Sequence, residues 1–146
     1  MTLNRTINTY YTTLERKLAR GDRVRVLLVH PEGASAEMLA MREYRRYTTD
    51  RIRALIRDSL SDLCNLRAVY PQLDIRVVAY PLSFGGIAIN PNAGSGVLYL
   101  EHYPFKTPGG SRPKFVLAAR DGRWYDFFRL ELQTIWDNST PWECPA

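Results

Sequence analysis

The run VRVLLVH (Val24–His30) decides the fold, because it is a short apolar segment rich in β-branched residues and Pro31 ends it. Such a run predicts a buried strand. A long helical segment follows, with apolar residues every three or four positions, and then a second strand, LDIRVVAY (Leu73–Tyr80). A strand, a helical crossover and another strand imply a parallel pair. The apolar positions of the long helix are Ile52, Leu55, Ile56, Leu60, Leu63 and Leu66.

Further elements lie on both sides of this strand–helix–strand unit. A helix is predicted from Asn8 to Ala19, another from Ser35 to about Arg46, and Thr48 or Thr49 is expected to cap the long helix. Turns rich in Gly, Pro and Asn separate the later segments. Those segments are the strands Gly86–Asn90, Gly96–Tyr103 and Lys114–Ala119 and the amphipathic helix Trp124–Trp136.

This order predicts an α/β fold with one mixed β-sheet of about five strands flanked by helices. The clustered later strands point to antiparallel additions to the parallel pair. A chain of 146 residues favours a single domain spanning residues 1–146. The predicted core comprises Val26, Leu28, Ile56, Leu63, Ile75, Val77, Ile87, Leu98, Leu100, Val116, Phe128 and Trp136.

The net charge and the composition indicate which classes of partner this chain can bind. The net charge of +5 permits nucleic-acid binding. Arginine is interspersed with acidic residues, however, so we interpret the stretch from Arg42 to Arg57 as a solvated helix face and keep a nucleic-acid interface as the alternative. No apolar run approaches the roughly 20 residues that cross a bilayer, and no membrane partner is expected.

The two cysteines, Cys64 and Cys144, have no metal-like spacing. We interpret Cys64 as a small buried hydrophobe, while Cys144 lies in a proline-rich tail. Free thiols predict the reducing cytoplasm as the compartment. No cofactor or metal is expected.

The order of elements and the stretch SFGGIAIN (Ser83–Asn90) are similar to one half of a phospholipase D-like domain. That superfamily carries His-x-Lys-x4-Asp on a strand, and this chain has Ser83, Gly85 and Asn90 at the corresponding positions. The resemblance therefore implies a degenerate active site that does not cleave phosphodiesters by the superfamily's mechanism. It also implies a homodimer. The superfamily has a strand before its first helix, and we expect this domain to depart from it by lacking that strand.

More closely, the chain resembles a bacterial domain of unknown function that lies C-terminal to helix-turn-helix regions in transcriptional regulators. This resemblance covers nearly the whole chain and implies a non-catalytic ligand-sensing or interaction module with a regulatory role. The segments that carry it are TLNRT (Thr2–Thr6), Leu14-Glu15, VRVLLVHP (Val24–Pro31), DRIRALIRDSL (Asp50–Leu60), GVLYLEHYPFKTPGG (Gly96–Gly110), KFVL (Lys114–Leu117) and WYDFF (Trp124–Phe128).

His102 and Lys106 are the side chains most suited to chemistry. They can bracket an anion, with the backbone N–H groups of Gly109 and Gly110 as further donors. Two alternatives stay open. In the first, HYPFK (His102–Lys106) is a structural corner in which His102 hydrogen-bonds a backbone carbonyl. In the second, His102 and Lys106 are the catalytic residues of a phosphodiesterase.

The resemblance places a ligand pocket at one end of the central strands. A small anionic or nucleotide-like ligand fits its basic groups, because Lys and Arg pair with phosphate oxygens. The predicted ligand-binding residues are Arg5 (in the TLNRT motif), Ser83, Asn90, Glu101, His102, Tyr103 and Lys106.

Overall fold

The structure, a computed structural model, describes the backbone from residue 3 to residue 146 and the side chains from residue 7 onward. The chain forms two compact units. The first comprises the chain up to Met41, Arg46–Pro81 and Ser139–Ala146, and the second comprises Arg42–Arg45 and Leu82–Asn138. The prediction of a single domain over residues 1–146 stays a prediction. Among the described helices, none is long and apolar enough to cross a membrane.

Four α-helices and six strands make up the described chain. The helices are α1 (Leu3–Ala19), α2 (Ala34–Arg42), α3 (Thr49–Val69) and α4 (Arg123–Asp137). The strands are β1 (Val24–Val29), β2 (Leu73–Val78), β3 (Phe84–Ile89), β4 (Val97–His102), β5 (Lys114–Ala118) and β6 (Thr140–Pro141). Short 3-10 turns cover Gly109–Ser111 and Ala119–Asp121.

In the first unit, β1 and β2 form the predicted parallel pair, in register from Val24 opposite Leu73 to Val29 opposite Val78. The crossover includes α3, which begins at the predicted cap: the Thr48 hydroxyl accepts a hydrogen bond of 3.1 Å from the Arg51 amide. The apolar stripe of α3 is buried, and the helix packs on α1 and β2. Local sequence signals therefore account for β1, β2 and α3.

The α/β class is confirmed, but the single sheet of about five strands is wrong. The strands form two three-stranded sheets, ordered β1–β2–β6 and β3–β4–β5. The edge of β2 is occupied by β6, whose Thr140 and Pro141 pair antiparallel with Val77 and Arg76. The pattern missed β6 because two residues ending in proline resemble a loop. A proline lacks an N–H and is tolerated in a sheet only at such an edge position.

The prediction of free thiols is also wrong. Cys64 on α3 and Cys144 beyond β6 form a disulfide, with their Cα atoms 5.7 Å apart. The two residues are 80 positions apart in sequence, and they meet only because the chain returns to β2 through β6. Nothing in the local sequence around either cysteine indicates that return.

In the second unit, β3, β4 and β5 form an antiparallel sheet. One face of this sheet packs against α4, with Phe84 and Phe128 in edge-to-face contact at 5.6 Å between ring centroids. The buried residues of this core are Phe84, Leu98, Leu100 and Tyr125, joined by the half-buried Leu117, Ala119, Phe128, Leu132 and Ile135.

Most of the predicted core is confirmed. The buried residues among those predicted are Leu28, Ile56, Leu63, Ile75, Val77, Leu98 and Leu100, and Val26, Phe128 and Trp136 are half-buried. The prediction that Ile87 and Val116 belong to the core is wrong, since these residues are 38% and 62% exposed. Both lie opposite Tyr99 of β4 in the sheet register, on the face turned away from Leu98 and Leu100.

Candidate functional site

Tyr103, directly after β4, is the centre of the candidate site. Its amide donates a hydrogen bond of 2.8 Å to the Ser83 carbonyl, which fixes the backbone against the start of β3. The phenol lies over Gly85, where an added Cβ would be 1.7 Å from the hydroxyl oxygen. Any side chain at position 85 would therefore require the Tyr103 ring to move.

Two guanidinium groups lie next to the Tyr103 ring. The Cζ of Arg42 is 5.0 Å from the ring centroid and that of Arg112 is 5.4 Å away, distances typical of cation–π contacts. Arg42 also donates a hydrogen bond from Nη1 to the Leu82 carbonyl, and its own carbonyl accepts one of 2.8 Å from the Lys106 amide. Arg42, the last residue of α2, is thus hydrogen-bonded to Leu82 on one side and to Lys106 on the other.

Two carboxylates complete the group. Nη2 of Arg112 donates to both oxygens of Glu43, at 3.3 and 3.1 Å, and only 6% and 10% of these two side chains are exposed. Glu101 is the weaker partner of Arg112, at 3.7 Å from Nη1. The buried Nε of Arg112 has no hydrogen-bond partner in the described structure. We call this set the arginine–tyrosine cluster: Arg42, Glu43, Glu101, Tyr103 and Arg112.

Burial sets the protonation behaviour of the cluster. It lowers the pKa of Arg42, which Glu43 and Tyr103 partly offset, and it lowers the pKa of Arg112. Burial raises the pKa of Glu43, with Arg42 opposing and Glu101 adding to the shift. Burial and then Glu101 raise the pKa of Tyr103 well above its ordinary value. The phenol therefore stays protonated at neutral pH and is a poor nucleophile.

The predicted site residues divide between the cluster and its surroundings. Glu101 and Tyr103 belong to the cluster, Ser83 contributes its backbone carbonyl, and Lys106 contributes its backbone amide. The Lys106 ammonium lies 5.6 Å from the ring centroid of Phe105. The ligand-binding role predicted for these residues stays a prediction.

His102 and Asn90 are not placed in the cluster. His102 is exposed, and its amide donates a hydrogen bond of 2.9 Å to the Pro113 carbonyl. Because side chains alternate along a strand, the His102 side chain lies on the face of the sheet opposite to that of Glu101. Asn90, with a φ of 45°, follows the other end of β3, roughly 20 Å along the strand from Ser83. The backbone of Arg5 lies in α1, and its side chain is outside the described residues.

Arg42, Glu43 and Arg112 are the cluster residues that the sequence did not indicate. The run REYRR (Arg42–Arg46) has a helical pattern, but α2 ends at Arg42 and the next residues join the second unit. Arg112 follows a short 3-10 turn at Gly109–Ser111. Only the tertiary structure brings these three residues to Tyr103.

A second feature of this unit is a shallow cavity of about 400 Å³ between the loop Pro91–Gly94 and the start of α4. Its polar groups are already paired: the Tyr125 hydroxyl donates to the Pro91 carbonyl at 2.7 Å, and Arg129 donates to the Asn92 side chain at 3.3 Å. Within residues 3–146, no group of three or more His, Cys, Asp or Glu side chains is arranged to hold a metal ion.

Comparison with known proteins finds no match to this chain among protein-family models, curated proteins or solved structures. The phospholipase D-like resemblance and the regulatory role that it implies therefore stay predictions.

Proposed function

We propose that this chain is a non-catalytic binding module for a small anionic or nucleotide-like ligand, held at the arginine–tyrosine cluster. The observation that carries the proposal is the buried Nε of Arg112, which lacks a hydrogen-bond partner in the described part of the chain. A buried donor without a partner costs about 1–3 kcal/mol. An oxygen of a bound phosphate or carboxylate would recover that free energy.

The chemistry of the cluster favours a phosphate or carboxylate over a neutral ligand. Guanidinium groups are planar forks that match two oxygens of such an anion, and the cluster contains two of them. Lys106, whose ammonium is exposed, lies on the same loop and is tied to Arg42 through its amide. Glu101, the more distant carboxylate partner of Arg112 at 3.7 Å, is the group that an incoming anion would displace.

The same geometry argues against catalysis. A lysine at position 85 would collide with Tyr103, because even a Cβ there lies 1.7 Å from its hydroxyl. The raised pKa of Tyr103 keeps the phenol protonated. A phosphodiesterase that uses His102 and Lys106 remains the enzymatic alternative, and no contact between those two side chains supports it.

Nucleic-acid binding through the Arg-rich stretch is the second alternative. Three carboxylates lie within 4.0 Å of Arg53, namely Glu32, Glu37 and Asp50, and Arg57 also pairs with Glu32. These pairs reduce the positive charge that the stretch offers to phosphates. A ligand that neutralises several DNA phosphates would show a steep loss of affinity with salt, whereas one small enclosed anion would lose less.

The regulatory role and the homodimer rest on the resemblance alone. Sedimentation analysis would test the dimer, and a monomer at high micromolar concentration would exclude it. The cytoplasm was inferred from free thiols, so that argument does not hold for a chain with a disulfide. Cytosolic disulfides are usually transient and catalytic or redox-sensing, so the cytoplasmic location stays a prediction.

Titration calorimetry with pyrophosphate and adenosine diphosphate tests the proposed ligand site. Glu101→Gln removes a competing negative charge worth about 1 kcal/mol or more at this range, so we expect it to tighten binding about fivefold. Arg42→Lys should weaken binding roughly tenfold, because the planar fork is lost. Glu131→Gln and Arg120→Lys make the same changes elsewhere in the second unit and should leave binding unaltered.

The results that would contradict the proposal are equally definite. Absence of binding by the wild-type chain would exclude this ligand class. Weaker binding by Glu101→Gln, or equal effects of Arg42→Lys and Arg120→Lys, would place the anion away from the cluster.

A further inference from the structure

The C-terminal residues Ser139–Ala146, which we call the strap, cover the edge of β2 in the first unit. Beyond the pairing of Thr140 and Pro141, the Trp142 amide donates a hydrogen bond of 2.9 Å to the Ile75 carbonyl. The Trp142 ring meets His30 edge-on at 6.0 Å between centroids. Cys144 then closes the disulfide to Cys64.

Five of the eight residues of the strap are exposed. Both residues of β6 are exposed, the strand is two residues long, and its proline has no N–H to donate. Terminal segments with exposed backbone hydrogen bonds and little buried apolar surface open readily. The covalent link to α3 is therefore the main restraint on the strap.

We propose that the Cys64–Cys144 disulfide is a redox-operated clasp: its reduction releases the strap and opens the edge of β2. The reductant is a dithiol. Its thiolate attacks one sulfur of the disulfide to form a mixed disulfide, and its second thiol then displaces the protein sulfur. The dithiol becomes a disulfide, and two electrons and two protons convert Cys64 and Cys144 to thiols. Both residues are half-buried rather than enclosed, so a small dithiol can reach them.

Release of the strap would expose backbone hydrogen-bonding groups along the edge of β2. Once the strap leaves, the outward N–H and C=O groups of β2 between Ile75 and Val77 lose their partners. An unpaired strand edge of this kind accepts another extended segment by backbone hydrogen bonding. The oxidised chain occupies the edge with its own strap.

Hydrogen exchange of the full chain, measured by mass spectrometry with and without dithiothreitol, tests the clasp. On reduction, we expect residues 139–146 and the outward amides of residues 73–78 to exchange roughly tenfold faster or more. Residues 84–89 and 97–102 of the second sheet should be unchanged. A chain with Cys64→Ser and Cys144→Ser should show the fast pattern regardless of dithiothreitol.

The oxidised Trp142→Ala variant provides the control, because it loses a non-covalent contact but keeps the tether. Hydrogen exchange of the strap in this variant should be faster than in the oxidised wild type but slower than in the reduced wild type. The proposal is overturned if reduction changes strap exchange by less than about twofold. It is also overturned if β1 and α3 lose protection together with the strap, since the disulfide is then a general stabiliser. The reduced wild type, which carries no substitution, decides the matter if the double serine variant does not fold.

Discussion

Replacing Gly85 with alanine tests whether Tyr103 lies over β3. The added Cβ would be 1.7 Å from the Tyr103 hydroxyl oxygen and 2.6 Å from its Cζ, so the ring must move. Overpacking of this kind costs about 1–3 kcal/mol. The displaced ring also loses its contacts with Arg42 and Arg112, at about 0.5–1 kcal/mol each. We therefore expect the free energy of unfolding of the second unit to fall by about 2–5 kcal/mol.

The same change in a Tyr103→Ala background separates this collision from a general effect of the substitution. Without the ring, the space above Gly85 is empty, and alanine is favoured over glycine in a strand by about 0.5–1 kcal/mol. Gly85→Ala should then be neutral or stabilising. The matched control is Gly86→Ala, whose Cβ would lie 2.5 Å from the Tyr99 carbonyl oxygen. Its cost should be the same in both backgrounds.

Urea denaturation monitored by tryptophan fluorescence measures these free energies. Trp142→Phe should be present in every variant, because Trp142 belongs to the first unit whereas Trp124 and Trp136 lie on α4 of the second. An equal cost of Gly85→Ala with and without the Tyr103 side chain would refute the placement of the ring. So would a cost of Gly86→Ala that disappears when Tyr103 is removed.

Three further predictions use the same assay. Arg112→Lys replaces the two-oxygen contact with Glu43 by a point charge in a buried pair, and we expect a loss of about 3 kcal/mol; a loss below about 1 kcal/mol would mean that the pair is solvated. Burial raises the pKa of Tyr103, so its contribution to stability is complete below about pH 10 and is lost as the pH rises through the folded-state pKa. Tyr103→Phe should therefore flatten the decline in stability above pH 10 by up to about 1.4 kcal/mol per pH unit, and an unchanged slope would show that the phenol is hydrated. Val116→Thr on the exposed sheet face should change stability by less than about 0.5 kcal/mol, whereas Leu98→Ala in the core should cost about 2–5 kcal/mol; similar costs would mean that the exposed face is covered.

The first unit was largely predictable because its signals are local. The apolar run at Val24–His30 and the stripe of α3 each determine an element from neighbouring residues alone. Thr48 satisfies a helix amide three positions further on, which is a short-range signal too. The parallel pairing of β1 and β2 then follows from the length of the crossover.

The division into two sheets was not predictable in the same way, because it depends on residues far apart in the chain. The edge of β2 is taken by Thr140 and Pro141, a pair that no strand pattern identifies. Alternation along β4 places Leu98 and Leu100 on one face, but it does not say which face of a sheet a helix will cover. Ile87 and Val116 were assigned to the core for that reason.

Two residues of the arginine–tyrosine cluster, Glu101 and Tyr103, are among the predicted ligand-binding residues. Glu101 lies in β4, and Tyr103 lies in HYPFK (His102–Lys106), which begins at the last residue of that strand. The cations that contact Tyr103 are Arg42 and Arg112, which come from sequence positions 61 residues before and 9 residues after it. No sequence motif has either of these spacings, so only the tertiary structure brings Arg42 and Arg112 to Tyr103.

The stretch SFGGIAIN has a physical explanation that does not depend on its ancestry. At the position where a phospholipase D-like signature has its lysine, Gly85 leaves room for the ring of Tyr103. Positive charge is nevertheless present, since Arg42 and Arg112 lie 5.0 and 5.4 Å from that ring. A lysine at this position would collide with the Tyr103 ring as it is placed here, so that ring would have to move to admit it. If the chain descends from a phosphodiesterase, the exchange of Lys for Gly and the arrival of Tyr103 are one coupled step.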